Sequence, residues 1–565
     1  MALFEPLVHR ALATALQAMR SRRFRAFEDQ CRDPKGAQLA FLKDLVATHG
    51  NTALARRLGV PRRNIDIASF RAAVPLTSYE DVEPEIMAAF EGAADQLAPG
   101  HPIYFAKTSG TSGQRKIIPI TEDYRRSFQQ PMHLFLWSLQ SAHPALFDRR
   151  VLYIVGPAVT EHSPAGVPVG YISGYNYQRM PTALRQFYAV PPEVFALADP
   201  ETNAYGIARA ALMHDLSFAI AVTAFPLAQL VRTLETHRER LLRDVRDGTF
   251  TPPGPAVPLR AFAVASHFRA DPARARTLER RAGRAGAFAP WALWPHVEAV
   301  SCWYHAAAAT ALPPLEAGWR PKALRSALYS ATEGWLNVPL RDHDVSGVAA
   351  LDSVFFEFET LGPHGEPTGE TCLLHEVEAG RNYGLVMTTR VGLWRYRIMD
   401  EIRVTGFFHN TPEFHFVQKA GAILSCHQDM STAAHFEQAF AEVFRRVPTL
   451  AGARWLVWPE IATAEGAGRY GAALGLDDAD IPEAALQLAA EAFDAGLGRA
   501  NDMYRLDRDA GIIAGPLFKA VPRAAIEAWE RARFGRGAGH QGKSVQLVKD
   551  VAEIPAAFRR VGASR

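Results

Sequence analysis

Apolar residues near the start of the chain recur at helical spacing: Phe4, Val8, Leu12, Leu16 and Met19, then again through Gln38-Leu-Ala-Phe-Leu-Lys-Asp-Leu-Val46. Helices are therefore predicted across residues 1–75. Val74-Pro-Leu-Thr77 breaks that pattern, and Thr77 or Ser78 is placed to cap a helix starting near Tyr79. Residues 121–142 read as helix. Arg150-Val-Leu-Tyr-Ile-Val-Gly156 is a short apolar run ending at Gly-Pro, the profile of a buried strand. Leu216–Phe225 predicts another, followed by one long amphipathic helix through Leu242.

The texture changes after about residue 325. Short strands are predicted at Leu324–Tyr329, Val354–Glu359, Tyr383–Thr389 and Trp394–Arg397. In Phe355-Phe-Glu-Phe-Glu359 the alternation puts Phe356 and Phe358 on one face and Glu357 and Glu359 on the other, which predicts a half-exposed sheet. Beyond that, strands at 454–458 and 471–475 alternate with helices at 482–495 and 522–534, the pattern of a small α+β unit. Pro252–Pro258 reads as a Pro-rich linker, and the Arg/Ala-rich segment 270–286 as a solvated helix face.

Composition narrows the class by exclusion. A chain of 565 residues exceeds one comfortable core, so two or more domains are expected. A net charge of +3 gives no basic arm for nucleic acid. The four cysteines, Cys31, Cys302, Cys372 and Cys426, are scattered and form no Cys-x-x-Cys. Reduced thiols in a cytoplasmic enzyme are the expectation. The N-terminus lacks the profile of a signal peptide, and no run of eighteen apolar residues predicts a membrane span. No protein partner is evident.

Candidate chemistry begins at Phe105-Ala-Lys-Thr-Ser-Gly-Thr-Ser-Gly-Gln-Arg-Lys116. Glycines let a backbone approach a ligand closely, and consecutive N–H groups in such a loop can cradle an anion. Thr108, Ser109, Gly110, Thr111, Ser112 and Gly113 supply that loop, and Lys116 brings positive charge to a polyphosphate. The P-loop spacing is absent. Tyr329-Ser-Ala-Thr-Glu-Gly334 follows a predicted strand, where open α/β sheets place ligands. Tyr329 offers a stacking face, Thr332 a donor to phosphate, and Glu333 a hard oxygen for Mg²⁺. In Tyr396-Arg-Ile-Met-Asp-Glu-Ile402, Asp400 is able to hold both ribose hydroxyls.

In order and spacing these motifs resemble those of the adenylate-forming superfamily. More narrowly, the chain resembles the Gretchen Hagen auxin-responsive family of acyl acid–amido synthetases over most of residues 65–435. The resemblance also includes Val74–Asp81, Leu242–Thr249, Trp294-Pro-His296, Glu376–Tyr383, Val391–Arg397 and Pro412–Phe416. It implies an α/β fold with a large N-terminal adenylate-forming domain (1–417), holding ATP and acid, and a smaller mobile C-terminal α+β domain (418–565). The implied reaction joins a carboxylic acid to ATP as acyl-adenylate, then passes the acyl group to an amine, commonly of an amino acid. Transfer to a thiol (coenzyme A or a carrier protein) and non-catalytic nucleotide binding are the alternatives.

By motif position the glycine loop takes the β- and γ-phosphates, Tyr329 adenine, Thr332 the α-phosphate, Glu333 Mg²⁺ and Asp400 ribose. Lys543, in Gln541-Gly-Lys543 after a glycine-rich approach, takes the place of the lysine that enters the site for adenylation. Phe225, Trp303 and Tyr304 are candidate walls of the acyl pocket. Three positions depart from the family pattern. Met399 replaces the glycine before the ribose aspartate, Met430 follows Asp429 where lysine is usual, and Ser544-Val545 replaces Pro-Arg.

Overall fold

A computed structural model describes residues 5–63, 65–107, 116–127, 129–253, 264–265, 267–362, 367–419, 423–426, 429, 431–460, 467–477, 480–509, 512–534, 547–548 and 551–559. The loop residues Thr108, Ser109, Gly110, Thr111, Ser112 and Gly113, the greater part of the Pro-rich stretch 252–258, Met430, Lys543 and Ser544-Val545 lie outside them.

The N-terminal helical reading resolves into Glu5–Arg32, Pro34–His49, Ala53–Arg57 and Ile67–Ala73. Helix Tyr79–Phe90 starts at Ser78, where the Asp81 carboxylate accepts from both the Ser78 backbone N–H and its hydroxyl. A carboxylate in the first turn also suits the positive end of the helix dipole. The long helix expected after residue 223 is two, Ala224–Thr236 and Arg238–Asp247, separated at His237.

Two sheets frame the large domain. Strands Arg150–Ile154, Leu216–Thr223, Ala299–Trp303 and Leu324–Ser326 pair in that spatial order, all parallel. Their near-continuous apolar runs fit strands covered on both faces, and their core joins Leu152, Phe195, Leu227, Val300 and Leu324. Among the Arg/Ala-rich residues, helix Pro272–Ala285 buries Ala275, Leu278 and Ala282, while Arg274 and Arg281 reach Asp215 at 2.7 and 2.6 Å. Those two arginines are part of the packing rather than the solvated face expected.

The second sheet is eight-stranded and antiparallel. Its order is Pro367–Leu373, Val354–Leu361, Asn382–Thr389, Tyr396–Phe408, Thr411–Lys419, Gly347–Ala349, Gly334–Val338, Tyr329–Ala331. The half-exposed face predicted around Glu357 and Glu359 is in fact covered: they are only 1 % and 2 % exposed. Arg395 grips Glu357 through two bonds of 2.8 and 2.9 Å, Arg71 adds a third contact at 3.0 Å, and Arg397 pairs Glu359. Alternation identified the polar face correctly but not its arginine partners, which arrive from distant sequence.

A smaller sheet of four strands holds the hairpin Tyr104–Lys107 and Ile117–Ile120, whose register sets Lys107 opposite Ile117. Towards the C-terminus, strands Arg454–Glu460, Arg469–Leu476 and Leu517–Pro522 form a three-stranded sheet. It packs with helices Ala433–Arg446, Glu483–Ala500 and Arg523–Phe534 around its own apolar clusters.

Candidate active site

The carboxyl ends of the four parallel strands collect the residues of interest. Phe225 follows Thr223, Trp303 ends its strand in register with Thr223, and Leu324–Ser326 leads directly to Tyr329. From there the chain enters a hairpin: Ala331 pairs with Gly334, so Thr332 and Glu333 are its two turn residues. That turn sets the two candidate residues side by side in one tight reversal. Tyr124 Oη donates to the Thr332 carbonyl at 2.9 Å, which ties the turn to helix Glu122–Ser127.

Tyr329 is buried, and its hydroxyl donates to Asp400 Oδ2 at 2.5 Å. Burial, followed by the Asp400 charge and the bond to it, holds the Tyr329 phenol well above the usual tyrosine range. It therefore stays a donor at neutral pH. Glu333 is 6 % exposed. After burial, its charge is the next cause raising the phenols of Tyr124 and Tyr396, and it adds more weakly at Tyr79 and Tyr329. Glu333 thus lies within electrostatic reach of four phenols, those of Tyr79, Tyr124, Tyr329 and Tyr396.

Asp400 reaches this position through an irregular strand. Arg397 stands opposite Val386 and Glu401 opposite Gly384, so Ile398, Met399 and Asp400 together face the single Leu385. Such a bulge bends a strand and re-aims its side chains. Met399 sits at φ 59°, in the left-handed region. The non-glycine residue there is thus the strained pivot of the bulge that presents Asp400.

The other motifs meet at the same place. Thr77 bridges to Tyr396, and its hydroxyl donates to the Trp394 carbonyl at 2.8 Å, so Val74–Asp81 is laid along the strand that carries Asp400. Tyr79 accepts from the Ile117 N–H at 3.2 Å, and the Lys116 ammonium lies 4.8 Å from the centre of the Tyr79 ring. The exit of the glycine loop is thereby fixed beside the tyrosines that surround Glu333.

A model of the GH3 family N-terminal domain matches residues 23–317, and one of the GH3 family central domain matches residues 347–419. The chain belongs to the GH3 family. The indole-3-acetic acid-amido synthetase GH3.2 of Arabidopsis thaliana is 26 % identical over 476 residues, covering 79 % of this chain and 85 % of that protein. Among solved structures, the AtGH3.15 acyl acid amido synthetase in complex with 2,4-DB is similar at a TM-score of 0.79 and 21 % identity, over 94 % and 95 % of the two chains. A 2-hydroxyisobutyryl-CoA ligase in its postadenylation state follows at a TM-score of 0.51 and 11 % identity, over 92 % and 90 %. These likenesses show an adenylate-forming fold: a large N-terminal domain and a smaller C-terminal one.

Within this GH3 chain the pocket residues named from sequence separate. Trp303 lies 5.2 Å from Tyr329 and 5.8 Å from Phe416, ring centre to ring centre, and so belongs to the wall beside Tyr329. Tyr304 is buried against the core of the parallel sheet, where burial first raises its phenol to about 12. Phe225 lies under Arg454 of the smaller domain, 5.7 Å from the guanidinium, and Arg232 on the same helix faces Asp477 at 3.7 Å. Asp429, at the entrance to that domain, is a buried hub: it accepts from Ser431 Oγ at 2.7 Å, from the Cys426 N–H at 2.8 Å and from the Tyr470 hydroxyl.

Three contributors escaped the sequence reading. Tyr124 holds the Thr332–Glu333 turn, Tyr79 holds the loop exit, and His305 stacks on Trp303 at 4.0 Å. Tyr79 stood inside a recognised motif. Tyr124 carries no local signal, because its partner Thr332 is remote in sequence, and His305 carries none because neither its burial nor its approach to His415 is written in the residues around it.

Proposed function

We propose that this GH3 protein activates a small carboxylic acid with ATP and Mg²⁺ and joins it to the amine of an amino acid. The observation that carries the reading is the Tyr329–Asp400 bond set beside Glu333 at the carboxyl edge of the parallel sheet. The names of its relatives support amide formation over transfer to a thiol.

In the first step a carboxylate oxygen of the acid bonds to the α-phosphorus of ATP, and the bond to pyrophosphate breaks. In the second, the amine nitrogen bonds to the acyl carbon, AMP leaves with the electron pair, and the amine loses a proton. A carboxylate is a poor electrophile, and AMP turns its oxygen into a good leaving group. Asp400, an acceptor fixed by Tyr329, would take ribose hydroxyls, and the Tyr329 ring would face adenine. Thr332 would donate to the α-phosphate. The loop residues Thr108, Ser109, Gly110, Thr111, Ser112 and Gly113, with Lys116, would hold the outgoing phosphates, and Lys543 would enter from the smaller domain during adenylation.

Glu333 suits Mg²⁺. Among the described residues no group of three or more His, Cys, Asp or Glu could hold a metal, and Mg²⁺ in nucleotide sites takes one or two carboxylates plus phosphate oxygens and water. Bound there, it would offset phosphate charge.

The division at 417/418 belongs to the same proposal. It falls within strand Thr411–Lys419, and the separate apolar clusters beyond Leu424 support it. The four free cysteines support the cytoplasm as its compartment.

The test is pyrophosphate release across aryl, indolic, jasmonate-like and fatty acids, followed by AMP release on adding amino acids or coenzyme A. Acid-dependent pyrophosphate with amino-acid-dependent AMP is expected. AMP release with coenzyme A alone would favour the thiol reading, and no acid-dependent pyrophosphate would leave nucleotide binding only.

A further inference from the structure

Strand Ala299–Trp303 leaves the parallel sheet at its carboxyl edge, and the chain passes through Tyr304 and His305 into the turn Ala306–Ala311. The His305 ring lies against Trp303, with ring centres 4.0 Å apart and planes 30° from parallel. It stands edge-on to Tyr304 and to His415, each 6.3 Å away. Both ring nitrogens are shielded from solvent, and among the described residues neither has a hydrogen-bond partner. Burial, reinforced by His415, lowers the imidazole to about 3. At neutral pH the ring thus offers one N–H donor and one acceptor.

Shielded polar atoms in folded proteins are nearly always matched, and each exception calls for a reason. A phenylalanine at this position would stack on Trp303 equally well and leave nothing unmet. A histidine with both nitrogens unused by the described protein is the arrangement of a recognition group.

We propose that His305 is a specificity-determining residue for the acyl acid, recognising a hydroxyl remote from the reacting carboxylate. A hydroxyl both donates and accepts, matching what a neutral imidazole offers. Two features assign the contact to the acid rather than to the nucleotide. Trp303 packs against both His305 and Tyr329, so the imidazole is one ring removed from the Tyr329–Asp400 pair rather than in contact with it. His415, beside His305, points to the opposite face of its strand from Phe414 and Phe416, the residues that flank Tyr329. The inference rests on the amide-ligase reading above.

The experiment compares matched acids in the pyrophosphate assay: phenylacetate with 4-hydroxyphenylacetate, 3-phenylpropanoate with its 4-hydroxyphenyl counterpart, and octanoate with 8-hydroxyoctanoate. In at least one pair the natural protein is expected to favour the hydroxylated acid by roughly tenfold or more in kcat/KM. His305→Phe keeps the ring and its stacking, and should bring that ratio close to one while still using the unsubstituted acid. His305→Gln keeps a donor and an acceptor and should retain part of the preference. A natural protein with no hydroxyl preference overturns the proposal. So does an unchanged ratio in His305→Phe, the result expected if only a buried water meets the imidazole. Equal loss of both acids in both variants also overturns it, in favour of a packing role. Failure of every acid to release pyrophosphate from the natural protein would instead overturn the amide-ligase reading.

Discussion

Tyr329 and Asp400, seventy-one residues apart, share a buried hydrogen bond of 2.5 Å. The two side chains that sequence motifs assigned to adenine and ribose are therefore one mechanical unit. A carboxylate has about four acceptor sites, and the tyrosine bond takes one of them while fixing the group. Tyr329→Phe keeps the aromatic face and deletes that bond. A hydrogen bond to a charged group contributes about 1.5–3 kcal/mol, and ribose contacts persist from ground to transition state. The apparent KM for ATP should rise roughly tenfold with kcat nearly unchanged. Initial-rate measurement of pyrophosphate release checks this; a fall confined to kcat would mean the pair acts in the transition state.

Glu333→Gln preserves shape and removes the charge a hard cation prefers. Adenylation should fall by about two orders of magnitude or more, the scale of losing one charge-stabilising group. The check is pyrophosphate release titrated with Mg²⁺. Near-natural rates at moderate Mg²⁺ would remove Glu333 from the metal site.

Met399 holds φ 59° and is 39 % exposed. A left-handed conformation costs a side-chain-bearing residue about 1–2 kcal/mol, whereas glycine adopts it freely at an entropic cost of about 0.5–1 kcal/mol. Met399→Gly should raise stability by about 0.5–1 kcal/mol, read from the urea midpoint, with the KM for ATP unaltered. Met399→Val, β-branched, should lower it. Opposite signs would show that the bulge is not strained at this residue.

The Glu357 carboxylate, 1 % exposed, receives Arg395 and Arg71. Removing one partner of a buried ion pair leaves an uncompensated charge, typically about 3–5 kcal/mol. Glu357→Ala should destabilise the protein by about that amount in chemical denaturation. The loss should also loosen Val74–Asp81, because Arg395 donates to the Arg71 and Val74 carbonyls. Faster amide exchange in that segment is the accompanying signature. A change below about 1 kcal/mol would show that solvent reaches the arginine.

Lys543→Ala separates the half-reactions. Adenylation develops charge on the α-phosphate, while amine attack on a finished acyl-adenylate does not need the same ammonium. Adenylation should fall about a hundredfold relative to amide formation from a supplied acyl-adenylate. Equal losses would make Lys543 structural. No loss in either would pass its role to another cation, with Lys419, opposite Asp400 in the sheet, the first to test.

The sequence by itself determined the local elements and the list of chemical groups. Period fixed the N-terminal helices, apolar runs fixed Arg150–Ile154 and Leu216–Thr223, and motif order proposed Tyr329, Glu333 and Asp400 as one set, of which the structure bonds Tyr329 to Asp400. These are short-range properties: they depend on spacing along the chain and on side-chain type. Only the tertiary structure decided which groups meet. The arginines that bury Glu357 and Glu359, the bulge that turns Met399 into a pivot, Tyr124 under the Thr332 carbonyl and His305 beside His415 all depend on strand register or on contacts between distant segments. A one-residue change of register would move the strand residues among them, such as Glu357 and Glu359, to the opposite face. Register is set by the packing of the whole sheet, and no window of sequence contains it.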